Sequence, residues 1–172
     1  MALATAFVVW LVVGNDDDGD QDQPAATVTG EETPPRAATR EELVALSRSL
    51  GYPVYWAGPQ PGRTYELTRT RSGRVYIRYL PREVEVGNRR PRFLTVGTYP
   101  QANGYTALRA AARRESVRST RASGGAFIVF DRRRPRSAYF SFPNASFQVE
   151  VFHPTPRRAR ALTLSGRIRP VS

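Results

Sequence analysis

The chain has 172 residues, of which 40% are hydrophobic and 24% charged, and its formal net charge is +11. Because cysteine is absent, a disulfide framework, a thiolate metal site and a lipoprotein anchored through cysteine are excluded for the chain as given. All 26 basic residues are arginine. GC-rich coding would produce this bias, and so would recognition of phosphate by guanidinium groups, so composition alone does not indicate phosphate binding.

The first 13 residues are almost entirely apolar, and Thr5 is the one polar residue between Ala2 and Val13. As a helix they would be about 20 Å long, whereas the hydrocarbon core of a bilayer is about 30 Å thick. Three interpretations remain open: a membrane helix whose upstream part is missing, an atypical signal segment without an initial Lys or Arg, and a buried helix. We expect a membrane anchor, because residues 7–13 have no polar face.

Residues 14–37 predict a disordered acidic spacer, since they are rich in Asp, Gln, Thr, Pro and Gly and contain no aromatic residue. Five aspartates follow the anchor without a positive charge, and positive charge is what retains a flanking loop on the inner side of a membrane. The chain beyond the anchor is therefore predicted to be extracytoplasmic. Residues 38–172 have the size of one basic domain, and from Leu43 onward 24 arginines face six acids.

A capping box, Thr39 with Glu42, predicts a short amphipathic helix that buries Leu43, Leu46 and Leu50. The prolines of the following "GYPVYWAGPQPG" segment interrupt regular structure, while its aromatic residues require burial. We expect this segment to lie extended over the core. A ligand-stacking role for Tyr55 and Trp56 is the alternative.

Two series of three strand-like segments are each followed by a helix-like segment, with Asn103 and Thr155 as candidate N-caps and Gly166 as the stop of the second helix. This order predicts an α+β fold: a mostly antiparallel sheet built from two βββα units, with the helices on one face. The predicted strands are 65–70, 74–80, 93–99, 125–130, 137–142 and 147–152, and the predicted helices are 104–114 and 156–164.

The segments "YPVYWAGP", "RVYIRYLP" and "FLTVGTYP" resemble segments of membrane-anchored or secreted proteins of high-GC actinobacteria. The resemblance covers most of the domain. It implies export and a single domain, and it implies no activity and no site residues.

No nucleotide-binding glycine loop is present, and the single histidine, His153, has no acidic or histidine cluster around it in the sequence. Glu83 and Glu85 would share one face of a strand and could pair for acid–base chemistry, but neighbouring arginines favour a solvated ion-pair cluster. We therefore predict a protein that is not an enzyme and uses neither a cofactor nor a metal.

Two surfaces are candidates for binding. The first is cationic: the arginines of "DRRRPR" project from a hairpin tip, and those at the start of the last helix could join them to contact an anionic surface. This candidate anion site comprises Arg132, Arg133, Arg134, Arg136, Arg157, Arg158 and Arg160.

The second surface is apolar, because strand alternation places several large side chains on the face opposite the predicted core. We expect "YPVYWAGP" to cover them, and uncovered they would form a partner surface. This candidate partner surface comprises Phe127, Val129, Tyr139 and Phe152, with Tyr55 and Trp56.

The function these patterns favour is a membrane-tethered extracytoplasmic module without catalytic activity, which binds anionic lipid, a cell-wall polymer or an acidic protein. A nucleic-acid-binding protein is the first alternative, suggested by the pI of about 11.1 and by the arginine-interleaved aromatics of "RVYIRYL". Export argues against it. An enzyme of unknown class is the second alternative, and the oligomeric state is not indicated.

Overall fold

The computed structural model describes residues 32–122 and 124–172. Ten strands and three helices follow one another in these residues. In chain order they are β1 (Thr33–Ala38), α1 (Arg40–Ser49), β2 (Tyr55–Trp56), β3 (Arg63–Arg69), β4 (Val75–Pro81), β5 (Thr95–Pro100), α2 (Gly104–Ala111), β6 (Val117–Arg121), β7 (Phe127–Asp131), β8 (Ser137–Ser141), β9 (Phe147–Phe152), α3 (Arg158–Leu164) and β10 (Arg169–Pro170).

Eight of the strands form one sheet in the order β1-β3-β4-β5-β9-β8-β7-β6, and every neighbouring pair is antiparallel. The central pair is β5 with β9, in register from Thr95 opposite Phe152 to Pro100 opposite Phe147. Two meanders extend outward from this pair. β2 and β10 form a separate two-stranded ribbon. The predicted α+β class and the mostly antiparallel sheet are confirmed.

Both edge strands lie where the sequence did not predict a strand. β1 occupies residues 33–38, mostly within the range interpreted as spacer, and its pairing with β3 shifts register between Thr33 and Arg36. Two prolines lie at this shift, which an edge position tolerates because one side of the strand needs no ladder hydrogen bonds. β6 has four exposed residues out of five, so the apolar alternation typical of a strand is missing from its sequence.

The two faces of the sheet carry different elements. Ile128 and Phe140 belong to the main core cluster, whereas Val129 and Tyr139 pack with Leu108 of α2 in a second cluster. We call these the α1 face and the α2 face. Leu43 of α1 lies in the main core cluster.

Helix α3 also packs on the α1 face. Its Leu162 contacts the main core cluster, and its Arg160 guanidinium lies 5.0 Å from the ring centroid of Phe130, which is on the same side of β7 as Ile128. The helices that follow the two strand triplets therefore lie on opposite faces. The expectation of one helix-bearing face is not met, and the idea of a duplicated βββα unit loses its support.

The "YPVYWAGP" segment covers the α1 face and not, as expected, the side that bears Val129. The ring of Tyr55 lies 5.3 Å from that of Phe140 and 5.6 Å from that of Phe147, and its backbone N–H donates to Thr98 Oγ1 at 3.0 Å. Pairing of β2 with β10 fixes the segment in this place. Helix α2 occupies the other face instead.

Helix termini were predicted with mixed success. The Thr39 capping box is confirmed, with the Glu42 N–H donating to Thr39 Oγ1 at 3.2 Å and the Thr39 N–H to Glu42 Oε2 at 2.7 Å. Asn103 makes no side-chain capping bond to α2. Thr155 does not cap α3, because the helix begins later and the Thr155 N–H instead donates to His153 Nδ1.

Within the two described stretches, no helix is both long enough and apolar enough to cross a bilayer. The predicted anchor, residues 1–13, and residues 14–31 of the predicted spacer lie outside the described residues.

Candidate functional site

Two cavities open at the same end of the sheet, where β3, β5 and β8 begin and β4, β7 and β9 end. The larger encloses about 900 Å³ on the α1 face. The smaller encloses about 480 Å³ on the α2 face. We call them the arginine groove and the Glu150 cavity. Both volumes are in the range of ligand sites.

The arginine groove brings together guanidinium groups from five places in the chain. They come from the start of β3, the loop before β5, the start of α3, the segment after α3, and β10, and all five side chains are exposed. Among the described residues, no acidic side chain lines the groove, and none of the five arginines forms an ion pair. The five are Arg63, Arg92, Arg158, Arg167 and Arg169.

The inner wall of the groove is apolar. It is formed by Tyr79, Leu94, Phe93 and Leu162, of which Tyr79 and Leu94 are buried. The Tyr79 hydroxyl accepts from the Ala57 N–H at 2.6 Å and donates to the Gly58 carbonyl at 3.3 Å, so it holds the neighbouring wall. Burial raises the pKa of Tyr79 far above its usual range, and the phenol stays neutral at physiological pH.

An ion pair on the α2 face fixes the loop that delivers Arg92 to the groove. Arg78 Nη1 donates to Glu66 Oε1 at 2.5 Å, and the Glu66 side chain is fully buried. The other carboxylate oxygen accepts from the Gly87 N–H at 2.5 Å, while Arg78 Nη2 donates to the Asn88 carbonyl at 2.7 Å. Two charged side chains on neighbouring strands thereby form hydrogen bonds with backbone groups of a loop that has no regular structure.

His153 lines the same groove at the end of β9. Its Nδ1 accepts from the Thr155 N–H at 3.0 Å, so in the neutral ring the proton is on Nε2. Burial lowers the pKa of His153, and the charge of Arg158 lowers it further. The imidazole is therefore neutral near pH 7, and its protonation would add positive charge to the groove.

The structure gives the seven arginines predicted as an anion site different surroundings. Arg158 lines the arginine groove, Arg160 stacks over Phe130, and Arg157 precedes α3 with a φ of 50°. At the hairpin tip, Arg132 Nη2 donates to the Glu115 carbonyl at 3.0 Å. The remaining three, Arg133, Arg134 and Arg136, line the Glu150 cavity.

The predicted partner surface is covered by the fold itself. Val129 and Tyr139 are 1% and 3% exposed beneath α2, and Tyr55 and Trp56 are 6% and 2% exposed in the main core. Phe127 is half-buried against Tyr105 of α2, and Phe152 is half-buried beside the Glu150 cavity. These six side chains therefore act as core and cavity residues instead of an open apolar patch.

The Glu150 cavity is built around a carboxylate on β9. The hydroxyl of Tyr99 donates to Glu150 Oε2 at 2.5 Å, and those of Ser137 and Tyr139 donate to Oε1 at 2.8 and 3.0 Å. Burial, and then the charge of Glu150, raise the pKa of Tyr99 and of Tyr139. Both phenols therefore remain hydrogen-bond donors to the carboxylate.

Most of this geometry has no signal in the sequence. Four arginines of the groove, Arg63, Arg92, Arg167 and Arg169, are scattered along the chain and give no local signal. Glu150 gave a weak signal, as a lone acid between Val149 and Val151 in a strand. Glu83 and Glu85, considered as a catalytic pair on a strand, are exposed residues of the loop after β4. Residues 32–122 and 124–172 contain no group of three or more His, Asp or Glu able to hold a metal ion.

No protein-family model, curated protein or solved structure matches this chain.

Proposed function

We propose that this protein is an envelope-tethered binding module whose basic domain binds an anionic polymer or head group in the arginine groove. The observation that carries the proposal is the convergence of five exposed, unpaired guanidinium groups on one groove without an acidic neighbour among the described residues. Guanidinium groups remain protonated and form forked hydrogen bonds to phosphate and carboxylate oxygens.

Binding is favoured over catalysis by the chemistry of the groove. Its charged groups are arginines, which do not release a proton near neutral pH and so do not serve as general bases. Its one titratable imidazole, His153, is held by the Thr155 N–H on one nitrogen. The apolar wall that includes Phe93 and Leu94 gives the non-ionic part of a ligand a surface to contact.

The membrane tether and the extracytoplasmic side of the domain are proposed on the apolar segment 1–13 and the acidic stretch after it. Protease added to intact spheroplasts should remove the domain. Digestion that occurs only after lysis would contradict this placement.

The groove is tested with soluble polyanions, because they do not report insertion of the anchor into a bilayer. Purified protein in detergent is titrated with inorganic polyphosphate, with polyglutamate and with single-stranded DNA. Replacing Arg63 and Arg169 together with serine should weaken binding of the preferred polyanion by about tenfold or more, since each arginine contributes about 1 kcal/mol near a charged surface.

The matched control is the double variant Arg113→Ser/Arg114→Ser, which removes the same charge from exposed positions after α2. We expect less than a twofold change from it. Equal losses in the two double variants would show that net charge, and not the groove, causes binding. Tighter binding of DNA than of either other polymer, abolished by the groove variant, would favour the nucleic-acid alternative.

A further inference from the structure

We propose that the Glu150 cavity is a second binding site, for a zwitterion that carries a primary ammonium group and an anionic group. The site is distinct from the arginine groove, because it opens on the α2 face and the lining residues of the two cavities do not overlap. Its chemistry is also different, since it combines a carboxylate floor with an arginine rim.

The floor is a carboxylate that forms no ion pair among the described residues. Glu150 is 8% exposed, and the ion pairs among the described residues are Arg36–Glu42, Arg71–Glu32 and Arg78–Glu66. Its three partners are hydroxyl groups that donate to it, so the side chain acts as an acceptor, as an anionic carboxylate does. Buried charges in proteins are normally paired. A ligand ammonium group at the floor would supply the missing partner.

The rim has the opposite charge. Arg133, Arg134 and Arg136 line the cavity from the β7–β8 hairpin tip, and Asp131, the acid at this tip, accepts from the Arg133 backbone N–H. A simple cation that approaches Glu150 passes three guanidinium groups, and a simple anion that enters beyond the rim meets the carboxylate. A ligand with both charges satisfies the floor and the rim together. Its specificity thus includes repulsion of ligands with a single charge.

Hydrogen bonds on the α2 face hold the carboxylate in place before any ligand binds. Tyr99 and Tyr139 contact it from the strands on either side of β9, and Ser137 contacts it from the start of β8. Their hydroxyls use three acceptor positions of the carboxylate, which offers about four. One position remains for a ligand donor.

An ammonium group and an anionic group occur together in a short peptide with two free termini and in an amino-phosphate head group. The experiment separates these two sources. The full chain, purified in detergent, is titrated by calorimetry with alanyl-alanine and with phosphoethanolamine. The blocked probes are N-acetyl-alanyl-alanine, which has no ammonium group, and alanyl-alanine amide, which has no carboxylate.

We expect at least one of the two zwitterions to bind. If alanyl-alanine binds, each blocked dipeptide should bind at least about tenfold more weakly than it does. Preference for phosphoethanolamine would identify the anionic group as phosphate. Binding of the N-acetyl dipeptide as tight as that of the free dipeptide would overturn the role of Glu150. Equal binding of the amide would overturn the role of the rim, and binding of neither zwitterion would overturn the site.

Two variants assign the binding to this cavity. Glu150→Gln removes the charge and retains an acceptor for the hydroxyl groups, and it should abolish zwitterion binding. Arg134→Ser/Arg136→Ser alters the rim outside the core and should weaken binding at least about tenfold, so the test holds even if Glu150→Gln perturbs folding. Arg63→Ser/Arg169→Ser, in the arginine groove, should leave zwitterion binding unchanged. Unchanged binding in the rim variant would refute the assignment.

Discussion

Replacing Glu66 with alanine should be among the most destabilising single substitutions in this domain. The carboxylate is fully buried, pairs with Arg78 at 2.5 Å and accepts the Gly87 N–H. Removing one member of a buried ion pair costs about 3–5 kcal/mol, because the other charge is left without its partner. Arg78 is 18% exposed and retains the carbonyl of Asn88, so we expect about 3 kcal/mol, at the low end of that range.

The assay is urea unfolding followed by circular dichroism, together with thermal melting. For a domain of this size about 3 kcal/mol corresponds to a fall in Tm on the order of 10 °C. Glu66→Gln, which retains an acceptor for the Gly87 N–H, should cost about half as much as the alanine variant. Glu83→Ala is the matched control, since it removes an exposed acid from the same loop, and it should leave stability within about 0.5 kcal/mol of wild type.

A decrease in the free energy of unfolding of less than about 1 kcal/mol in Glu66→Ala would refute the reasoning, because removal of an ordinary solvent-exposed ion pair costs that much. The variant also has a second readout. The loop that Glu66 and Arg78 hold carries Arg92 to the arginine groove, so polyanion binding should weaken in Glu66→Ala and remain unchanged in Glu83→Ala.

Three further outcomes are expected. Thr39→Ala should cost about 1 kcal/mol of unfolding free energy through loss of the capping box, whereas Asn103→Ala, which removes no capping bond, should cost much less; equal losses would contradict the cap assignment. Gly97→Ala should lower the free energy of unfolding, measured by urea unfolding, by about 1–3 kcal/mol, because the new Cβ would lie 2.6 Å from the hydroxyl of buried Tyr99. An unchanged free energy of unfolding would show that the Tyr99 ring can move. An NMR titration of His153 should give a midpoint below the usual pKa of 6.5. The unfolded state then binds more protons than the folded state, so the contribution of His153 to stability is present above pH 6.5 and is lost as the pH falls through the lower midpoint of the folded state. Polyanion affinity should rise over the same fall in pH, because protonated His153 adds positive charge to the groove. A midpoint above 6.5 would contradict this sign.

The parts of the fold that sequence predicted are those with a strong local signal. Alternation of Val75, Ile77 and Tyr79 marks β4, and these residues do point together into the main core. The Thr39 and Glu42 pair marks the start of α1 for the same reason, since both partners of the cap lie within one turn.

The features that sequence did not predict either lack an apolar pattern of their own or depend on contacts between distant segments. β6 is an edge strand whose partner, β7, supplies the apolar residues, so its own sequence resembles a loop. The helices pack on different faces: α1 and α3 share the α1 face with "YPVYWAGP", and α2 covers Val129 and Tyr139.

The candidate sites also depend on contacts between distant segments of the chain. The arginine groove forms because several strand ends meet at one end of the sheet, and Arg63 and Arg169 lie near each other only in the folded chain. The Glu150 network likewise joins Tyr99 to a carboxylate 51 residues further along the chain.

The central position of β5 and β9 has a consequence for how the protein is made. β5 is synthesised well before β9, so its inner edge stays without a partner until the chain as far as Phe152 has left the ribosome. Closing this pair requires contacts between residues far apart in sequence, which slows folding relative to a domain built from local contacts. A chain released before β9 would expose an open edge in what becomes the middle of the sheet, and an open edge is a template for aggregation. The second meander therefore covers the open edge of the first and prevents that edge from pairing with another chain.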